Sequence, residues 1–235
     1  MKRIGMVGGL SYESTAKYYL DINKKAMQRL EGYNQLEIVL VSVNFNEVMH
    51  YAGCNDWNQL YLLFMDAAIK LERARVDFIV IPCNSFHIIA DRLQQAINVP
   101  LLNIIDCVAS YIQSNSYSKV ALLGTKFTME NGFYRDRLLK KFNIKTEIPN
   151  REDRDNLHDI IFKELCYGLF TEKSKNFINN LCENLQTQKN CEAVILGCTE
   201  LPMILRPSDT QVPLILSTDI HADCIVDYCL EQDVI

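Results

Sequence analysis

An internal repeat constrains the fold of this chain more than any other feature. Three motifs occur twice, in the same order and about 115 residues apart, as expected for a duplicated unit. They are GMVGG at 5–9 with ALLGT at 121–125, DFIVIPCNS at 77–85 with EAVILGCTE at 192–200, and NVPLLNIID at 98–106 with QVPLILSTD at 211–219. The repeat predicts two similar halves, 1–110 and 111–220, and a C-terminal tail, 221–235, that packs back on them.

Short apolar runs alternate with longer amphipathic segments, which is typical of parallel sheets covered by helices on both faces. The predicted strands are 3–7, 36–43, 77–82, 100–104, 118–123, 144–148, 192–196 and 213–216. The predicted helices lie near 13–30, 57–74, 84–96, 130–142, 154–168 and 172–188. The fold class is therefore α/β, with two similar pseudo-symmetric domains. Because ligands of such sheets bind beyond the carboxyl ends of the strands, we expect the active site in the cleft between the domains.

Composition excludes several classes of function. The formal net charge is -5 and no basic stripe is present, so nucleic acid is not an expected partner. No apolar run approaches membrane-helix length, and the apolar start is too short for a signal peptide, so we expect a cytoplasmic protein away from the membrane. The pair Gly8-Gly9 lacks the third glycine of a dinucleotide-binding loop.

The chain has nine cysteines, an odd number that argues against a disulfide framework. No CxxC pair is present, so we expect no metal site. Most of these thiols are expected to pack as small apolar residues. This expectation applies to the five cysteines in helix-like segments, which are Cys107, Cys166, Cys182, Cys224 and Cys229.

Cys83 and Cys198 differ from the others because each follows a predicted strand at the same place in the repeat. A thiol at the start of a following helix faces free N–H groups, which lower its pKa. Two such thiols facing each other suit inversion at a carbon acid, where one removes the proton and the other returns it to the opposite face. Backbone N–H groups at the helix starts, with Asn84, Ser85 and Thr199, are candidate donors to the developing charge. The alternative is that both cysteines are structural.

Four segments of the sequence together resemble the aspartate/glutamate racemase family. They are PCNSFH at 82–87, GCTELP at 197–202, GMVGGLSYEST at 5–15 and LLGTKFTMENGFY at 122–134. The resemblance implies a racemase that needs neither pyridoxal phosphate nor a metal, has two α/β domains and forms a homodimer. It assigns catalysis to Cys83 and Cys198. It assigns contacts with an amino-acid substrate to Gly9, Asn84, Ser85, Thr125, Thr128, Thr199 and Glu200.

The GCTE form of the second box suggests the aspartate racemase branch, and interconversion of L- and D-aspartate or glutamate is the expected activity. The sequence departs from aspartate racemases that hold the substrate with an Arg and a Lys. The loop at 43–50 has no Arg, and Cys166 rather than Lys163 matches the Lys position. Glutamate or a broader range of amino acids therefore stays open, as do a related isomerase of the superfamily and a non-enzymatic amino-acid-binding protein.

Three further residues have two interpretations each. Glu200 is either a site residue or a carboxylate that interacts with a helix dipole. His87, predicted on the same helix as Cys83, either tunes that thiol or is a packing or surface histidine. His221 either closes the cleft or caps a helix.

Overall fold

The computed structural model describes residues 1–231 of the 235-residue chain, and this part divides into two compact units. Unit 1 comprises Met1–Ile104 together with the described residues from His221 onward, and unit 2 comprises Ile105–Ile220. The first border lies between Ile104 and Ile105, whereas the repeat predicts it at residue 110. The described part of the tail belongs to unit 1. Residues 232–235 of the predicted tail lie outside the described residues.

Unit 1 contains a parallel three-stranded sheet in the order β2-β1-β3. Its strands are β1 (Ile4–Gly8), β2 (Ile38–Ser42) and β3 (Phe78–Val80). Its helices are α1 (Tyr12–Met27), α2 (Phe45–Gly53), α3 (Trp57–Arg73) and α4 (Ala90–Gln94), with a 3₁₀ helix at Ser85–Ile89. The strand predicted at 100–104 is reduced to one parallel bridge between Leu101 and Ile79.

Unit 2 contains a parallel four-stranded sheet in the order β5-β4-β6-β7. The strands are β4 (Lys119–Leu123), β5 (Lys145–Glu147), β6 (Ala193–Leu196) and β7 (Leu214–Leu216). The remaining helices are α5 (Ile104–Ser114), α6 (Lys126–Glu130), α7 (Phe133–Phe142), α8 (Arg151–Lys163), α9 (Glu172–Lys189), α10 (Leu201–Ile204) and α11 (Ser217–Leu230), with 3₁₀ turns at Leu165–Tyr167 and Pro207–Asp209. Helices α5 and α11 span the two borders between the units.

Both sheets have the same strand order when β1, β2 and β3 are matched with β4, β5 and β6, and the Leu101 bridge with β7. The α/β class with parallel sheets flanked by helices is confirmed. Among residues 1–231, no helix combines the length and apolar character needed to cross a membrane.

Alternating side chains of the unit 1 strands build two cores, one on each face of the sheet. On one face, Val7 and Ile79 pack with Leu60, Phe64 and other apolar residues of α3 and the segment after β3. The other face carries Ile4, Met6, Phe78 and Val80, which pack against α1 and α11. Strands β1 and β3 are buried on both faces, which explains why they are continuously apolar in the sequence, whereas β2 is partly exposed.

In unit 2, Ala121 and Leu123 of β4 and Val194 and Leu196 of β6 form one core with α8, α9 and α10. Three helices of this unit, α6, α8 and α9, begin at side-chain caps. Thr125, Asn150 and Thr171 accept hydrogen bonds from the backbone N–H groups three residues later, at the starts of α6, α8 and α9. The caps at Thr125 and Asn150 end the loops that follow β4 and β5.

A fully buried histidine lies inside the α1–α11 face of unit 1. His221 donates a hydrogen bond from Nε2 to the carbonyl oxygen of Leu102 (3.1 Å), and its Nδ1 accepts one from the Tyr18 hydroxyl (3.2 Å). Burial, with the nearby His87 ring, lowers the pKa of His221 to about 3. His221 is therefore neutral, and it is a core residue of α11 rather than a helix cap.

We expect this histidine to make unit 1 sensitive to acid. Its pKa is about 3 when folded and 6.5 as the reference value, so between these values the unfolded chain binds more protons. Stability is then lost as pH falls below 6.5, approaching about 1.4 kcal/mol for each pH unit. His221→Gln keeps an N–H donor for Leu102 but cannot titrate. Urea unfolding at pH 7.5, 6 and 5 should show wild type losing its advantage over this variant as pH falls; a constant difference would contradict the assignment.

Candidate active site

Cys83 lies in the loop that follows β3, and its side chain is half-buried. Its backbone N–H donates to the carbonyl oxygen of Ile81 (2.8 Å), which turns the chain tightly after the strand. The predicted helix at 84–96 is wrong: the chain continues as the 3₁₀ helix Ser85–Ile89 and only then as α4. The thiol therefore does not face the N-terminus of a long α-helix.

Two buried side chains fix the backbone around Cys83. The Ser14 hydroxyl donates to the carbonyl oxygen of Pro82 (3.0 Å), and the His87 Nδ1 lies 2.7 Å from the carbonyl oxygen of Cys83. His87 is only 4% exposed, so it is an internal residue and not a surface one. Sequence reasoning missed Ser14, because nothing in its helical pattern indicates that its hydroxyl reaches a loop 68 residues away.

Cys198 lies in the loop that follows β6, at the place equivalent to Cys83, and is also half-buried. Its Sγ–H donates to the Glu200 Oε2 (2.8 Å), which also accepts from the Thr199 hydroxyl (2.7 Å). The following helix, α10, has only four residues and adds no substantial dipole. The hydrogen-bond acceptor of this thiol is therefore the Glu200 carboxylate, for which the sequence predicts either a substrate contact or an interaction with a helix dipole.

The remaining predicted contacts of unit 1 lie in the loops after β1 and β3. Asn84 is buried and Ser85 is half-buried at the start of the 3₁₀ helix. Gly9 has a φ of +84°, and its N–H donates to the Thr15 hydroxyl (2.9 Å), which in turn donates to Ser11. The N–H of Gly9 is thus used inside the loop.

In unit 2, Thr125 follows β4 as the N-cap of α6 and is half-buried. Its hydroxyl accepts from the Thr128 N–H (3.2 Å) and lies 3.0 Å from the Thr128 hydroxyl. Thr128 is fully buried, so in this structure it supports Thr125 and offers no surface of its own.

The other cysteines differ in burial, and deep burial keeps some of them protonated. Burial raises the pKa of Cys182 and of Cys229 to about 12, so both are held as thiols. Cys107 is buried and Cys224 half-buried, but Cys166 is exposed in the turn Leu165–Tyr167, so its prediction as a packed apolar residue is wrong. Nearby, Lys163 pairs with Asp159 on the surface.

Across residues 1–231, no cluster of three or more His, Cys, Asp or Glu side chains is arranged to hold a metal ion. Each unit offers its own loops beyond the carboxyl ends of its strands, after β1 and β3 in unit 1 and after β4 and β6 in unit 2. Two half-buried thiols occupy equivalent loops, each beside hydroxyl groups.

Comparison with known protein families gives a match over most of the chain. The sequence profile of the Asp/Glu/hydantoin racemases matches residues 7–225. The chain belongs to this racemase family. A broad-specificity amino-acid racemase of Bacillus subtilis, RacX, is 23% identical over 216 residues, which is 92% of each chain.

Solved structures of racemase homologues are more similar to this chain in sequence than RacX is. A candidate Asp/Glu racemase from Yersinia pestis is 38% identical, with a TM-score of 0.94 over 98% of this chain and 100% of that one. An aspartate racemase homologue from Pyrococcus horikoshii is 36% identical, with a TM-score of 0.89 over the same shares. The resemblance drawn from the four sequence segments is thereby confirmed at the level of the family.

Proposed function

We propose that this protein is an amino-acid racemase that interconverts L- and D-aspartate, with glutamate as the competing substrate, using Cys83 and Cys198 as its acid and base. One observation carries the proposal. Of the cysteines in the described chain, these two are half-buried in equivalent loops, beyond β3 of one sheet and β6 of the other. A carbon acid is inverted by two such groups, one for each face of Cα.

The reaction consists of two proton transfers. One thiolate takes the Cα proton, so that a C–H bond breaks and an S–H bond forms. The other thiol then gives its proton to the opposite face, leaving a thiolate. The roles are exchanged in the reverse direction. Because both transfers are assigned to thiols of the chain, we propose that neither pyridoxal phosphate nor a metal takes part.

The Glu200 carboxylate makes Cys198 different from Cys83. A carboxylate beside a thiol disfavours the thiolate, since two negative charges would then lie together. The Sγ–Oε2 contact of 2.8 Å therefore supports a protonated Cys198 in the resting enzyme. When Cys198 must act as the base, the same carboxylate is placed to accept its proton. We assign Glu200 this role rather than a contact with the substrate side chain.

Polar groups near the two thiols are proposed to hold the substrate carboxylate and amine. Ser85, Thr125 and Thr199 are half-buried and carry hydroxyl groups, and Asn84 follows Cys83 directly. The carbonyl of Gly9 is a candidate acceptor for the substrate ammonium. Such preorganised groups stabilise the charge that develops on the carboxylate as the Cα proton leaves. Thr128 is assigned a supporting role through Thr125.

A second candidate is a racemase of broad specificity. The absence of an Arg in the loop 43–50 removes one side-chain clamp found in strict aspartate racemases, and RacX, which matches almost the whole chain, is named for broad specificity. From the family resemblance we further propose a homodimer that works in the cytoplasm.

Incubation of the purified protein in D₂O, without pyridoxal phosphate or added metal, tests the proposed function. We expect L-aspartate, and L-glutamate more slowly, to lose the α-proton signal in the NMR spectrum. The D-isomer should appear at the same time, as detected by chiral chromatography. Heat-denatured protein is the control. Activity spread over many amino acids would favour the broad-specificity candidate. Binding without exchange of any amino acid in a panel would contradict the proposal and identify a non-catalytic binding protein.

A further inference from the structure

The hydrogen bonds of His87 fix its tautomer, and the proposed proton transfers do not involve this residue. The backbone N–H of Ile104 donates to its Nε2 (3.2 Å), while its Nδ1 lies 2.7 Å from the carbonyl oxygen of Cys83. A backbone N–H can only donate and a carbonyl can only accept. Nδ1 therefore carries the proton and Nε2 carries the lone pair. Protonation of Nε2 would place two donors against each other in a buried site.

A second buried histidine lies beside His87. The nearest ring is His221, with ring centroids 6.1 Å apart, and that histidine is itself neutral and bonded to Tyr18 and Leu102. Tyr18, His87 and His221 are at most 4% exposed. The three rings form a buried neutral cluster that joins α1, the loop after β3 and α11.

The equivalent loop of unit 2 is built differently. Four residues after Cys198 stands Pro202, which cannot donate a hydrogen bond from its side chain, where four residues after Cys83 stands His87. There the Ser217 hydroxyl holds the carbonyl of Leu196 (2.7 Å). The histidine anchor is therefore a feature of the Cys83 loop alone, and not a general requirement for turning the chain after a strand of this fold.

We propose that His87 is a positioning residue for Cys83. As a neutral imidazole, it holds the Cys83 carbonyl through Nδ1–H and thereby sets the direction in which the neighbouring Sγ points. It transfers no proton in the reaction. The proposal rests on the proposed function for the statement that Cys83 reacts, but its statement about the tautomer stands independently.

Three variants separate this role from its alternatives. His87→Leu removes both hydrogen bonds, and we expect kcat to fall about 100-fold because displacement of a reacting group by about 1 Å has that effect. His87→Asn places an amide N–H near the position of Nδ1, so we expect kcat within about 5-fold of wild type. His87→Gln offers its amide to Ile104 but not to Cys83, and should resemble His87→Leu. In all three, KM and the apparent pKa values of the kcat/KM profile should stay unchanged.

A ¹⁵N NMR spectrum of the wild-type protein tests the tautomer without any assay of activity. The chain has four histidines, so substitution assigns the His87 signals. We expect the Nδ1–H form from pH 5 to 8 with no titration. An Nε2–H form, or a titration in this range, would overturn the proposal, as would a shifted pH profile or failure of His87→Asn to restore kcat over His87→Leu. If no amino acid is racemised, the proposed function fails while the NMR result still decides on the tautomer.

Discussion

Replacement of either Cys83 or Cys198 by serine should reduce racemisation by about 1,000-fold or more, because each removes one of the two proposed acid/base groups and such groups contribute up to about 10⁴-fold. Each variant should nevertheless keep exchange of the α-proton with D₂O for one enantiomer, since one thiol is left and can exchange its own proton with solvent. The retained enantiomer should be opposite in the two variants. The measurement is the NMR signal of the α-proton with L- and with D-substrate, together with chiral chromatography of the product.

Cys54→Ser is the matched control for these two variants, since Cys54 is an exposed free cysteine at the end of α2. Its racemase activity should equal that of wild type. Racemisation within about three-fold of wild type in both site variants would exclude the two-thiol mechanism, because a single thiol can account for only one face of Cα. Exchange of the same enantiomer in both variants would show that the thiols do not lie on opposite faces.

Substitution of Gly9 by alanine should produce the largest loss of stability among single changes in the site loops. A Cβ there would lie 2.2 Å from the Val43 carbonyl oxygen and 2.8 Å from the Val43 nitrogen, both of which are backbone atoms of the neighbouring segment. The backbone also has a φ of +84°, which L-residues adopt at a cost. Strain and overpacking together should lower the free energy of unfolding by roughly 4 kcal/mol, and Tm by about 10 °C.

The variant Gly32→Ala separates the cost of backbone strain from the cost of overpacking. Gly32 also has a positive φ, of +66°, but no atom lies within 4 Å of the position of its Cβ. This variant should lose only about 1 kcal/mol, the conformational part. Thermal and urea unfolding of both variants measure the difference. Equal losses would show that the loop after β1 gives way to the new methyl group, and that its close approach to Val43 is not rigid.

Much of the fold could be predicted because β1, β3, β4 and β6 are mostly buried and therefore stand out as apolar runs. Helices α5 and α11 were missed for the same reason: each begins directly after an apolar strand or bridge, so that the apolar run of 100–104 or 213–216 continues into the helix without a turn signal. The overestimated helix at 84–96 has a helical pattern. Hydrogen bonds of His87 to Cys83 and Ile104 hold its first turn as a 3₁₀ helix instead.

For the site, the repeat predicts the equivalent positions of the two cysteines but not the contacts of their side chains. The two cysteines are equivalent in sequence and lie in equivalent loops. The contacts that distinguish them depend on side-chain directions that no spacing reveals. Examples are the hydrogen bond between Cys198 and Glu200 and that between Ser14 and Pro82. His221 illustrates the limit, since its partner Tyr18 is 203 residues away in the chain.

The contact between Cys198 and Glu200 has a consequence for the catalytic cycle as a whole. Where Glu200 follows Cys198 by two residues, Ser85 follows Cys83, so only one thiol has a carboxylate at this place. In the proposed two-thiol mechanism, each turnover leaves the free enzyme as one of two proton isomers, depending on which enantiomer was released. Enantiomers have equal free energies, so kcat/KM is the same in both directions whatever the protein does. The asymmetry between the two thiols cannot change this ratio, but it can change kcat and KM separately and the relative populations of the two proton isomers of the free enzyme.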